Sequence, residues 1–286
     1  MMQRLMMTSA AVLLGSVVAP SAQQPTFSAK REAVRVDALV TDGDKVVSGL
    51  GAPDFEVRDN GVLQTVDLVS FQQIPLNVFL ALDTSASVSG ERLVHLQTAG
   101  HALLGRLGKD DRSALLTFSH VIQLREGLTS ATARVRDALA RVQPLGDTAL
   151  IDGAYAGLML DPQDGGRNLL LVFSDGLDTA SWLTPESVLD SAKRSDVVVY
   201  GVSSRGLADA KFLEDLTEVT GGATLKIAST EQLSATFLKI LDEFRQRYLI
   251  SYSPTGVPNS GWHRLEVRVK GRRVTVKSRA GYQAGA

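Results

Sequence analysis

The sequence contains no cysteine. That absence excludes a disulfide and a lipidated cysteine, so the fold must be held by packing alone. Histidine is scarce as well, at four residues: His95, His101, His120 and His263. No excess of either charge is present, and a formal net charge of -1 gives no global reason to expect nucleic acid or an anionic membrane as partner. Beyond the amino terminus no stretch approaches the roughly 20 apolar residues that a bilayer span needs. Internal repeats and low-complexity segments are missing too. What remains is an ordinary globular composition. At 286 residues and 44% hydrophobic, the chain has material for one large domain or two small ones around a buried core.

The amino terminus stands apart. MMQRLMMTSAAVLLGSVVAPSAQQ places Arg4 before an apolar stretch from Leu5 to Ala19, with small residues ending near Ala22. A positive start, an apolar centre and a small-residue exit make residues 1–22 a secretory signal. Thr8, Ser9 and Gly15 interrupt the stretch and argue against an uncleaved anchor. The expected product is exported, periplasmic or extracellular, with no integral span after cleavage.

Two flanks alternate with a period of two. In residues 25–73, Val34, Val36, Ala38 and Val40 alternate with Arg35, Asp37 and Leu39, and Asp59-Asn60-Gly61 marks a hairpin. In residues 246–283, Leu265, Val267 and Val269 face one way and Glu266, Arg268 and Lys270 the other. Each flank supplies about three short strands, too few to close a core alone. The two are expected to pair as a small β-sandwich-like unit. Seven Lys/Arg between Arg264 and Arg279 read as charge on the solvated side of edge strands.

The middle, residues 75–245, changes rhythm. Apolar runs at Leu76–Leu82, Ala114–Phe118, Leu169–Phe173, Val197–Val202 and Ala223–Ile227 mark strands buried on both faces. Helical spacing separates them: Leu93, Leu96 and Leu103, then Val135 and Leu139, then Leu233, Phe237, Ile240 and Phe244. Strands alternating with helices predict a doubly wound, mostly parallel α/β sheet flanked by helices.

Such sheets bind ligands beyond the carboxyl ends of their strands. The first run delivers Asp83, Ser85 and Ser87 in ALDTSASVSG, and the run ending at Phe173 delivers Asp175. Gly146-Asp147-Thr148 adds a hydroxyl where another helix opens. Three readings compete: a serine nucleophile, a helix cap, and oxygen ligands for a hard cation. For the first, neither Ser85 nor Ser87 lies in a GxSxG elbow, and His120 reads as a surface-turn residue. Alternate residues Asp83, Ser85 and Ser87 are expected to point into one pocket as the chain leaves the strand extended. The turn lacks the glycines of a dinucleotide site, since Gly90 comes too late.

Asp83-x-Ser85-x-Ser87, then Thr148, then Asp175 resembles the metal-ion-dependent adhesion site of von Willebrand factor type A domains, over about Pro75–Glu243. The resemblance implies a six-stranded Rossmann-like sheet and a divalent cation, Mg²⁺ first, with Mn²⁺ or Ca²⁺ as alternatives. It also implies that Ser85 and Ser87 contact the ion directly, that Thr148 is a switchable ligand, and that Asp83 and Asp175 act largely through water. A partner protein's Asp or Glu carboxylate would fill the open position, and no catalysis is implied. Ala86 departs from the family's usual glycine. The flanking motifs, Asp54-Phe-Glu-Val-Arg-Asp-Asn-Gly61 and Tyr248-Leu-Ile-Ser-Tyr-Ser-Pro254 among them, resemble the VWFA-related domain family of acidobacterial genomes. A metal-independent structural subunit of an envelope assembly is the competing role, and a serine hydrolase a more distant one.

Overall fold

Residues Leu76–Asp83, every one buried, cannot present a polar face to water and so form an interior strand. The computed structural model describes residues 33–71, 74–162, 164, 166–204 and 210–285; the expected signal at 1–22 lies outside the described residues. The amino-terminal strands are β1 (Val34–Asp42), β2 (Lys45–Val46), β3 (Phe55–Asp59), β4 (Val62–Gln64) and β5 (Val66–Phe71). The α/β layer follows with β6 (Leu76–Asp83), α1 (Glu91–Gly105), β7 (Arg112–Phe118), β8 (Ile122–Thr129), α2 (Thr132–Ala140) and α3 (Leu150–Leu158). It continues through β9 (Arg167–Ser174), α4 (Pro185–Ala192), β10 (Val198–Ser203), α5 (Ala210–Thr220), β11 (Ala223–Lys226) and α6 (Leu233–Arg245). Strands β12 (Tyr248–Tyr252), β13 (Gly261–Val269), β14 (Thr275–Lys277) and β15 (Gly281–Ala284) close the described chain.

The six-stranded sheet runs β11-β10-β9-β6-β7-β8. All its pairings are parallel except β7 with β8. Strand β8 was not among the apolar runs, because it is a half-exposed edge whose IQLREGLT carries Arg125 and Glu126. On one face α1, α2 and α6 pack Leu96, Leu103, Leu139, Phe237 and Phe244 against Val78, Leu80 and Leu82. On the other, α3, α4 and α5 bring Leu150, Val188 and Leu216 to Phe79, Ala81 and Leu170. Each such Leu or Phe is worth about 1.5–3 kcal/mol of burial. The chain leaves β6 for one face through α1 and enters β9 from the other through α3. The carboxyl ends of β6 and β9 are therefore the point where connections diverge.

The remaining strands form two antiparallel sheets, β14-β1-β12-β5 with β2 beside β1, and β15-β13-β3-β4. Each joins strands from both ends of the chain. The β3–β4 hairpin turns on Asn60 (φ 47) and Gly61 (φ 81), the paired positive φ that a tight hairpin turn needs. Val36, Val40, Phe55, Val57, Tyr248, Ile250 and Leu265 fill the space between the sheets.

Three buried arginines attach these strands to the amino-terminal ends of the α/β sheet. Arg167 reaches Asp37 of β1 at 2.6 Å and donates to the Phe244 carbonyl at 3.0 Å. Arg247 donates to the Gly221 carbonyl at 2.7 Å and to the Tyr200 hydroxyl at 2.8 Å, and Tyr200 donates to Glu243 at 2.5 Å. Arg279 pairs with Asp196 at 3.0 Å and donates to the Lys193 carbonyl at 2.9 Å.

Candidate metal centre at the strand ends

Asp83 is the last residue of β6 and is fully buried. Its Oδ1 accepts from the Ser85 amide at 2.8 Å and its Oδ2 from Ser174 Oγ at 2.7 Å. Burial pushes its acid above the ordinary carboxylate range; the Ser174 and Ser85 donors pull the other way, and the Asp175 charge adds to the rise.

The chain leaves β6 extended through Ser85, but not as far as Ser87, as alternation suggested. After Ser85 it winds into a 3₁₀ turn over Ala86–Val88, closed by Val88 N to Ser85 O at 3.0 Å and held down by the buried Val88 side chain. The turn folds Ser87 back on Ser85, leaving the two hydroxyls 3.0 Å apart. Ser87 Oγ then donates to Asp175 Oδ1 at 2.5 Å. The cap reading fails here, because α1 has Gly90 at its N-cap and neither Ser85 nor Ser87 caps a helix with its side chain. Ala86 is exposed, so its methyl group takes no oxygen away from the cluster, and its amide bonds the Gly146 carbonyl at 2.9 Å.

Thr148 enters through Gly176. A Cβ at Gly176 would stand 3.3 Å from Thr148 Oγ1 and 3.6 Å from Ser87 Oγ, so this glycine sits between both hydroxyls. Gly146 is needed for two reasons: its φ is +77, and a Cβ there would fall 1.9 Å from His120 Nδ1. Asp83, Ser85, Ser87 and Asp175 are thus linked by hydrogen bonds, with Thr148 beside them across Gly176.

Sequence reasoning missed Arg92. Its Nη1 reaches Asp175 Oδ2 at 2.9 Å and the Ser87 carbonyl at 2.9 Å. A signal existed: Arg92 lies in the first turn of α1, where a cation opposes the helix dipole unless an anion faces it. The histidines take other roles. His95 meets Thr230 Oγ1 at 2.9 Å, and buried His263 meets Asp59 at 2.7 Å.

The donor set suits a hard cation. Among the described residues no cluster of three or more His, Cys, Asp or Glu exists, so any ion here would rely on hydroxyls. Both carboxylates are fully buried, and the side-chain donor to Asp83 is a neutral hydroxyl. A buried carboxylate with neutral partners is what a cation would compensate.

Fold and site together define a doubly wound α/β domain with an oxygen-rich cluster where its connections diverge. Residues 77–239, more than half the chain, match the von Willebrand factor type A domain family, and the protein belongs to that family. Domains of this kind mediate protein–protein interaction. Human inter-alpha-trypsin inhibitor heavy chain H4 is 21% identical over 278 residues, covering 88% of this chain and 30% of its own length. The chain therefore spans under a third of that relative. Proximal thread matrix protein 1 from the mussel byssus, in a structure with a zinc-occupied MIDAS motif, is 18% identical with a TM-score of 0.53, over 65% of this chain and 49% of that one. An aerotolerance-related membrane protein from Bacteroides fragilis gives 15% and 0.50, over 59% and 98%. These two likenesses show the fold. No helix among the described residues is long and apolar enough to cross a membrane.

Proposed function

We propose that this protein is an exported, metal-ion-dependent protein-binding module and not an enzyme. Residues 75–245 form the binding domain, and the strands between Val34 and Phe71 with those from Tyr248 onward form the β platform beneath it. Asp83, Ser85, Ser87, Thr148 and Asp175 would hold a divalent cation, Mg²⁺ first. When bound, the cation supplies an electrophilic position that a partner's Asp or Glu carboxylate completes. With few direct anionic ligands, little of its charge is cancelled. Arg92 pairs with Asp175 and so offsets one of the two buried carboxylates of the cluster.

One observation carries the reading: the Ser85–Ser87–Asp175 hydroxyl and carboxylate chain lies beside a fully buried Asp83. The relative with zinc at its MIDAS motif lends support from the fold, and the tripartite leader supports export. Calorimetric titration with Mg²⁺ and Mn²⁺ tests it. Wild type should bind at least one ion and Asp83→Ala neither. A wild-type protein that takes up neither would leave the metal-independent structural role standing instead.

A further inference from the structure

The loops that carry Thr148 and Asp175 display large apolar side chains that carboxylate capture does not require. Trp182 is 93% exposed, Leu145 67% and Leu177 55%. Leu145 lies on the loop that carries Thr148, and Leu177 and Trp182 lie on the loop after β9 that carries Asp175. Leu145 immediately precedes Gly146, and its amide bonds the Thr84 carbonyl at 2.9 Å beside the Asp83–Ser87 turn. Leu177 immediately follows Gly176.

Trp182 is displayed on a locked loop. The Trp182 and Leu183 amides donate to the two carboxylate oxygens of Asp152 in α3, at 3.0 and 2.9 Å. Asp178 accepts from the Ile151 amide at 2.9 Å and from Ser181 Oγ at 2.5 Å, while Ser181 Oγ accepts from the Asp152 amide at 3.1 Å. The Thr179 and Ala180 amides both donate to the Thr148 carbonyl, at 2.8 and 3.0 Å. The loop that carries the tryptophan is therefore bonded to the backbone of a candidate ligand. A large aromatic held in water by a rigid loop loses little freedom on binding, the property of an interface anchor.

We propose that Trp182, Leu177 and Leu145 form an apolar collar that selects a short acidic segment of a partner protein, one whose Asp or Glu is flanked by aromatic or large aliphatic side chains. The proposal rests on the carboxylate-capture reading above and names the partner's chemistry. Charge and size both point to that occupant. A cation held by the cluster takes the acid, and the collar excludes water around it, which strengthens the electrostatic contact. One tryptophan and two leucines offer on the order of 300–400 Å², about half what one side of a stable protein interface buries. That area suits a linear segment better than a second folded domain or a second copy of this chain.

The test selects dodecapeptides from a random displayed library against the whole chain in Mn²⁺. Enriched peptides should pair an acidic residue with a neighbouring Trp, Phe or Leu. Trp182→Ala should weaken them about thirtyfold, as truncating an anchor does. Trp182→Phe should recover most of that loss. Thermal melting checks that the Ala variant is folded, as expected for a side chain standing in solvent. Acidic peptides without apolar neighbours, or full affinity in Trp182→Ala, would overturn the collar while leaving carboxylate capture intact. Peptides that bind equally in EDTA, or equally to Asp83→Asn, would overturn carboxylate capture itself. A selection with no enrichment over Asp83→Asn overturns both.

Discussion

The two ends of the six-stranded sheet handle buried charge in opposite ways. At the amino-terminal ends, Arg167, Arg247 and Arg279 each meet an acid: Asp37 at 2.6 Å, Glu243 at 3.9 Å and Asp196 at 3.0 Å. Backbone carbonyls take up further guanidinium protons there. At the carboxyl ends, Asp83 and Asp175 are both fully buried, and of the two only Asp175 meets a cation, Arg92. At the first end every buried guanidinium has an acid within the described chain, although Arg247 Nε makes no hydrogen bond. At the other, Asp83 has only neutral donors, and the difference separates a joint from the proposed binding site.

The largest expected effect breaks the joint. Arg167→Met strands Asp37 without its cation and should cost about 3–5 kcal/mol of folding stability, read by chemical denaturation. Added divalent cation should restore none of it. Next comes the open end. At an ion concentration one hundredfold above its dissociation constant, Mg²⁺ should stabilise wild type by about 2.7 kcal/mol. Asp83→Asn should abolish that gain in a thermal melt, yet fold normally without the ion. A cation response that survives in Asp83→Asn would remove the contrast between the two ends.

The smallest effect sharpens the account of the joint. Burial, and after it the charge of Arg247, hold the Lys277 ammonium below the ordinary lysine pKa. A folded-state pKa lowered below the unfolded value means that the unfolded chain binds this proton more tightly. Charged Lys277 therefore costs stability at neutral pH, and the cost fades as pH rises through the folded value towards the unfolded one, about 10.4. Lys277→Met should stabilise the protein at neutral pH by less than about 1 kcal/mol, with the gap closing by about pH 10–11. A gap that widens with pH would contradict this.

How much of this was legible in the sequence follows the same division. The interior strands announced themselves as apolar runs, and the candidate ligands were readable because they emerge where those runs end. Strand β8 was hidden, since an edge strand with Arg125 and Glu126 has neither a continuous apolar run nor clean alternation. The 3₁₀ turn at Ala86–Val88 was hidden because Val88's burial, which sets it, is a tertiary fact. Arg167 and Arg247 stand at the edges of apolar segments, where an arginine ordinarily marks solvent. Their partners lie 130 residues away in one case and 47 residues away, on β10 of the six-stranded sheet, in the other. The loop bearing Trp182 gave no sequence signal; its hydrogen-bond lattice depends on Asp152 in α3, thirty residues earlier.

Helix α6 ends at Arg245 and β12 begins at Tyr248, so two residues separate the α/β layer from the strands beneath it. One of them is Arg247, fully buried and bonded to Gly221 and Tyr200. Strand β12 is flanked on both sides, antiparallel to β1 and to β5. In mechanical terms this is a load path. Tension applied along α6 would pass within two residues into β12, which two rows of hydrogen bonds hold, one to β1 and one to β5. A tether gripped at the top of the sheet would thus pull on one of the best-secured strands of the β platform.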